Sequence, residues 1–571
     1  MKILNKEVNK KIAIIASLSI VVVILLGFYV KRVITKKAEE NNKLLIQQSE
    51  VKLSEGKTFF HNGDFEKAIE KYNEIDTTKL YDENRIEALK NIYLSEAYNF
   101  NGDIDGAKEY IKKTKDTKNT DDKVLYSIVT NEYLIGEIDS ALSDGEKYFE
   151  INKENKDLIK TLLAVYLTKG ENEKAQLMIS TYPVDTLSAY DLSEYAMMYM
   201  IVGNREKGFE LLKKAWDLNH DEFKIYDVLA HTSVYNKKAN IEYINNLLNE
   251  SPDEVAYKMW LAKIYSDDAK TARGSINLLK QLEEKDIISL ETKLIKAMAL
   301  NNLGESAKAT ETINEALASS NDDYRVYHTA AWLSINQGDI ENAKSYAQKS
   351  IEKNQSYTDN YSFLMPEILI RSGEGEKINS YIWVGRFAEP YNYYIIDNLA
   401  NIYLQRADGL DKAQELYLEA KTLNSNEPEI QYNLAIIDVN KGEIDKGIEI
   451  LRKCIELNPN EGKYHRTLGS LLLTQGNGEE GISELRDAYK LDENDILTLN
   501  NAGSYYISFT DDIHRGYYNL QKAFAGLDEF TDDYYKKIVT ENFEKAKLII
   551  ESIENGRPND KVTVPEFVLL F

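Results

Sequence analysis

Residues 432–460 read YNLAIIDVNKGEIDKGIEILRKCIELNPN. Small side chains stand at Ala435, Gly447 and Cys454, and Gly442-Glu443 falls between the first two. Apolar residues recur three and four apart on both sides of that dipeptide, which is the spacing of two helices with one apolar stripe each. Gly442 can end the first helix in the left-handed conformation, and Glu443 opens the second near the positive end of its dipole.

Working outward, Gly followed by Asp, Glu or Asn returns at Gly63, Gly102, Gly136, Gly170, Gly203, Gly304, Gly338, Gly373 and Gly476. After a first gap of 39, consecutive turns lie 34, 34 and 33 residues apart, and the long gaps of 101 and 69 are three and two such periods. Degenerate turns are expected near Lys237 and Ala269, then at Asp408-Gly409 and Thr510-Asp511. Small residues follow five after the turn (Ala68, Ala107, Ala141, Ala175, Ala309, Ala343) and precede it by seven (Gly56, Ser95, Ala196, Ala297, Ala331, Gly469). Such positions let two helix backbones approach closely.

Turn, period and small-residue offsets resemble the tetratricopeptide repeat over about residues 45–530. The resemblance implies an all-α fold: a right-handed superhelical solenoid of about 14 helix-turn-helix repeats whose first helices line a concave groove. The pattern departs at 236–275 and at 356–395, where Pro366 takes a small-residue position and Trp383, Phe387 and Pro390 crowd the second helix. The organisation expected is therefore a basic tail (1–11), an apolar helix (12–30), a juxtamembrane helix (31–44) and a first array (45–355). An irregular joint (356–395), a second array (396–530), a capping helix (531–555) and an apolar tail (556–571) follow. The tail ends VTVPEFVLLF and must dock somewhere, on this chain or another.

Composition agrees with an array of helices. Only 8 prolines and 28 glycines interrupt 571 residues, and 43% hydrophobic content excludes wholesale disorder. With 94 acidic against 70 basic side chains, the net charge of −24 argues against nucleic acid as a partner. Residues 1–43 nevertheless carry nine basic and three acidic groups.

Ile12 to Val30 is uncharged, is flanked by Lys10/Lys11 and Lys31/Arg32, and is long enough to cross a hydrocarbon core of ~30 Å. The expectation is a retained single-pass anchor touching membrane lipid, with a cleaved signal peptide as the rival. Flanking charges tie, so the repeat body is placed outside the cytoplasm only by its short basic N-tail, and a cytoplasmic body stays open.

No catalytic constellation is legible. His61, His220, His231, His328, His465 and His514 form no close ligand pair, and no phosphate loop or nucleophile elbow occurs. Neither metal nor cofactor is expected. The acidic doublets at 121–122, 267–268, 322–323, 511–512 and 532–533 read as helix caps. Cys454, the one cysteine, sits at a packing position and reads as buried and inert.

Recognition remains. In the family that the chain resembles, Asn two residues before the small position contacts a bound peptide's backbone. Here that position holds Asn398, Asn433, Thr467 and Asn501, with Lys463 and Arg466 beside it as takers of a carboxylate. Tyr391, Tyr393 and Tyr394 are candidates for a contact patch. The function expected is a membrane-tethered scaffold for a protein or peptide partner, in envelope assembly or its regulation. The rivals are a peptide-sensing receptor whose superhelix responds to occupancy, and a non-catalytic accessory subunit of a polysaccharide-processing enzyme. Oligomeric state stays open.

Overall fold

The computed structural model describes residues 2–80, 84–320, 322–406, 409–510, 512–528, 531–555 and 567–570, with the backbone alone over 2–28 and at Lys79. Among these residues there are 28 α-helices and no strand. All ten glycines of the Gly-acid or Gly-Asn turns have φ between +70° and +85°. At Gly442 the amide bonds Val439 O and the next amide, of Glu443, bonds Asp438 O, both at 2.9 Å, so two terminal carbonyls of the first helix are satisfied. The residue after the glycine acts in two ways. Asp64, Asp103, Asn204 and Asp339 accept an amide of the second helix, whereas Glu137, Glu171, Glu305 and Glu443 make no side-chain cap. The longer glutamates pair instead with nearby cations, Glu137 with Lys108, Glu171 with Lys174, Glu305 with Lys308 and Glu443 with Lys446, while their charge also suits the helix dipole.

Two compact units divide after Thr161. In the first, the end of Lys2–His61 packs on Phe65–Asn73, Asn84–Phe100 on Ile104–Asp116, and Asp122–Leu134 on Ile138–Phe149. In the second, the pairs include Tyr324–Asn336 with Ile340–Lys353, Pro428–Asn440 with Ile444–Leu457, Gly462–Thr474 with Gly478–Leu491, and Ile496–Phe509 with Ile513–Ala525. The small residues sit where each pair touches. A Cβ built on Gly481 would lie 2.8 Å from Gly469 O, and the reverse distance is also 2.8 Å. Gly481→Ala is expected to cost about 1–3 kcal/mol by forcing these backbones apart. A lowered urea midpoint of the full chain would show it, and an unchanged midpoint would mean that the pair spreads freely.

The expected membrane anchor, and the localisation built on it, need correction. Among the described residues no helix is long and apolar enough to cross a membrane. The helix holding 12–30 does not stop at Val30 but runs unbroken from Lys2 to His61. Beyond Tyr29 it carries Lys31, Arg32, Lys36, Lys37, Glu39 and Glu40. Its last turns serve as the first helix of the first repeat, with Leu53 and Phe60 buried and Gly56 against Tyr72. The side chains of 12–28, where most of the expected span falls, lie outside the described residues.

The two degenerate stretches take different forms. Near Lys237 a kink takes the place of a glycine turn: Phe223–Glu250 is two helices joined at Asn236, at φ −109° and ψ 26°. Over 356–395 the first helix opens as a π-turn, Asn360–Leu364, which runs directly into Met365–Arg371 with Pro366 near the junction. Ile378–Ala388 then completes the pair.

This segment is fastened to the 223–250 helix by buried polar contacts. Lys224 donates to Glu389, Tyr357 OH to Asp227 Oδ1 at 2.9 Å, and His231 Nε2 pairs with Asp359 at 2.8 Å. A little further on, Tyr235 OH donates to Asp397. Tyr391, Tyr393 and Tyr394 lie under these contacts, at most 4% exposed. They are not an exposed patch, because Tyr393 OH reaches Glu427 and the Tyr394 ring meets Tyr235.

Candidate functional site

The described part of the tail docks on its own chain. Gly462–Thr474, Ile496–Phe509 and Asp533–Glu554 supply the groove. Asp495 accepts the amides of Leu497 and Thr498, and Asp532 accepts that of Tyr534, so carboxylates start two of the three helices. Asn500, Asn501 and Asn542 are wholly buried, and an amide without water must find its partners in protein.

Those partners are largely tail backbone. Asn501 accepts from Leu570 N at 2.8 Å and donates to Leu570 O at 2.6 Å. Asn542 accepts from Val568 N at 3.2 Å and donates to Val568 O at 2.8 Å, and Asn500 adds a second donor there at 3.2 Å. Two-point clamps on residues two apart fit an extended chain, whose alternate backbone groups face one way. Ser470 Oγ and the Asn500–Asn542 amide contact complete the network.

Apolar side chains fill the rest. Phe567 packs on a cluster containing Ile507, Ile513, Leu520 and Phe543. Leu569 meets Leu473, Ile482, Leu485 and Tyr506, while Leu570 joins Leu497, Leu499, Ala523, Ile538 and Val539. Val568 faces out. Residues 556–566 and Phe571 of the tail lie outside the described residues.

Of the residues singled out by the repeat register, Asn501 alone holds this peptide. Asn398 donates to Ser362 O at 3.0 Å, Asn433 is half-buried, and Thr467 meets Tyr432 OH at 3.2 Å. Lys463 is paired with Glu429 and Arg466 with Asp495, both at 2.6 Å, so each cation already has a carboxylate of its own chain. Asn500 and Asn542 were not legible from the register. The signal for Asn542 was its place among Ile538, Val539, Phe543, Ala546 and Ile549, the buried stripe of the capping helix.

Elsewhere in the second unit, helices 223–250, 255–266, 290–302 and 324–336 line an open cavity of about 640 Å³ with Asp359 and Phe363 of the irregular segment. His328 is neutral there: burial pushes it down to about 4, its Nδ1 donates to Asn360 and its Nε2 accepts from Trp332. Burial also pushes Asp227 well above the usual carboxylate range, with Asp359 adding to the rise. Burial acts likewise on Asp359, but His231 outweighs it and holds that carboxyl low.

Two further groups carry ligating atoms. His465, Glu484 and Asp487 lie close enough to hold a metal ion, a grouping not legible in the spacing. Both ring nitrogens of His465 are engaged, by Glu484 at 2.7 Å and Pro459 O at 3.1 Å, and the Glu484 bond raises its pKa. A doubly donating imidazolium has no lone pair for a metal. Cys454 is buried, its thiol pushed up to about 12 by burial.

Residues 324–356 and 428–461 match the family model described as tetratricopeptide repeat. The chain is thus an all-helical repeat protein, two stretches of which match the tetratricopeptide-repeat model. A comparison with curated proteins finds no match. Among solved structures, it is similar to yeast Tom70, at 15% identity and TM-score 0.38 over 81% of this chain and 96% of that one. It is also similar to the Cut9–Hcn1 hetero-tetramer of the APC/C, at 13% identity and TM-score 0.32 over 84% and 93%. YrrB, described as a tetratricopeptide-repeat protein with an unusual peptide-binding site, aligns at 16% identity and TM-score 0.22 over 40% and 97%.

Proposed function

We propose that the chain is a protein-interaction scaffold whose C-terminal groove receives an extended apolar segment of a protein partner, and that its own tail is the groove's resident competitor. One observation carries this reading: buried asparagines grip both the N–H and the C=O of Val568 and of Leu570. Backbone clamps of this kind accept any extended chain, and side-chain recesses then select it. The recesses here ask for an aromatic residue, a free position, and two leucine-like residues, as in Phe567-Val568-Leu569-Leu570.

The test is binding of a labelled synthetic peptide with the sequence of residues 562–571 to the full chain and to its Leu570→Asp variant. A tethered tail acts at an effective concentration on the order of 1 mM, so against a peptide affinity of about 10 μM it would weaken binding roughly 100-fold. Leu570→Asp, which puts a carboxylate among Leu497, Leu499 and Val539, is expected to restore that binding. Adding Asn501→Ala should abolish it. Equal binding to both chains would sink the competitor role, and no binding to the helical Leu570→Asp chain would sink the groove.

A further inference from the structure

The second unit holds another candidate, distinct from the peptide groove. The cavity of about 640 Å³ is lined by Asp227, Asp267, Asp268, Glu291 and Asp359 against Lys237 and Lys263. Pairing them off leaves a remainder. Lys263 meets Asp267 at 3.2 Å, Lys237 meets Asp268 at 3.0 Å, and His231 meets Asp359 at 2.8 Å. Among the described residues, Asp227 and Glu291 are left without a cation in contact. Asp227 is 6% exposed and Glu291 1%, and among the described residues no donor reaches Asp227 Oδ2 or Glu291 Oε2. Buried carboxylate oxygens without donors are costly, and a bound donor group is the usual compensation.

The remaining walls suit the same ligand. Phe223, Phe363 and Trp332 line the cavity beside apolar Leu294, Ile295 and Met298. Aromatic faces attract a cation, and the aliphatic wall takes the stem that carries it. A volume of about 640 Å³ lies in the range of small-ligand sites.

We propose that this cavity binds an ammonium or guanidinium group on a short aliphatic stem, with Asp227 and Glu291 as its counter-ions. The group can belong to a free amine or to a lysine or arginine side chain of a partner segment; the chemistry recognised is the same.

Calorimetric titration of the full chain separates these sources. Three probes are used: agmatine, the blocked tripeptide acetyl-Gly-Arg-Gly-amide, and its uncharged norleucine counterpart. At least one charged probe is expected to bind, and the neutral peptide is not. Binding of agmatine alone assigns a free amine, whereas binding of the arginine peptide assigns a basic side chain. Glu291→Gln and Asp227→Asn keep shape but cannot ionise to meet a bound cation, and each is expected to weaken binding at least tenfold. The proposal is overturned if neither charged probe binds the unmodified chain or if the norleucine peptide binds equally well. Undiminished affinity in the double variant would overturn it too. None of these outcomes depends on the C-terminal groove, so the two readings stand or fall separately.

Discussion

Lys224→Met is expected to destabilise the second unit by about 3–5 kcal/mol, because it leaves Glu389 buried without its cation. The side chains of Lys224 and Glu389 are only 5% and 2% exposed, and they join positions 165 apart in sequence. Thr358 Oγ1 donates to Glu389 Oε1 at 3.0 Å and Asn392 to Oε2 at 2.9 Å, and both would survive the substitution. They cannot replace a charge. Burial alone would raise the Glu389 pKa, yet Lys224 outweighs it and holds the carboxyl at about 2. A depressed carboxylate adds stability that is fully present above the unfolded value near 4.5 and is lost as pH falls through 2. Removing the carboxylate as well, in Lys224→Met with Glu389→Gln, should recover most of the loss. Urea midpoints of the two single variants and the double give the coupling directly. Additive losses would show that the pair does not hold the 223–250 helix to the irregular segment.

That contact marks the boundary of what the sequence could reveal. A repeat pattern specifies neighbours, since each unit packs on the next, and its turns and small positions could be read residue by residue. Gly442, Gly469 and Gly481 do what their spacing implied, in φ and in backbone approach. Contacts between distant units leave no period behind. Lys224 with Glu389, His231 with Asp359 and Tyr235 with Asp397 join residues 165, 128 and 162 apart, and nothing in either partner's own repeat announces the other. The tyrosines show the same limit: Tyr391 has one composition whether it faces solvent or, as here, the core.

The groove was half legible. Asn501 came from the repeat register, but its use depends on Asn500, Asn542 and a tail 69 residues away. The apolar stretch at 12–30 misled for the opposite reason. Its local hydropathy and flanking charges describe a span, whereas the helix that contains it extends to His61 and ends as part of a repeat.

Glu291→Gln is expected to stabilise the chain at alkaline pH, even as it removes a counter-ion from the cavity. Burial raises the Glu291 pKa to about 8 from 4.5. Lys263 and Arg325 pull it down and Asp221 and Asp323 push it up, but burial dominates. The folded state therefore binds more protons than the unfolded one between pH 4.5 and 8, and stability falls as pH rises through that window. Each tenfold change in proton affinity is worth about 1.4 kcal/mol, so the penalty at pH 9 is on the order of 3–5 kcal/mol. Glutamine keeps the shape without the ionisation. The variant should match the unmodified chain near pH 4.5 and exceed it increasingly toward pH 9, as read from urea unfolding at each pH. Parallel pH profiles would mean that Glu291 ionises in the folded state without cost, and hence that water or a protein cation already serves it. The expected divergence has a functional meaning. A group that costs stability and makes no compensating internal contact is a feature of binding sites rather than of packing, and the cationic probe should narrow the gap by stabilising the ionised form.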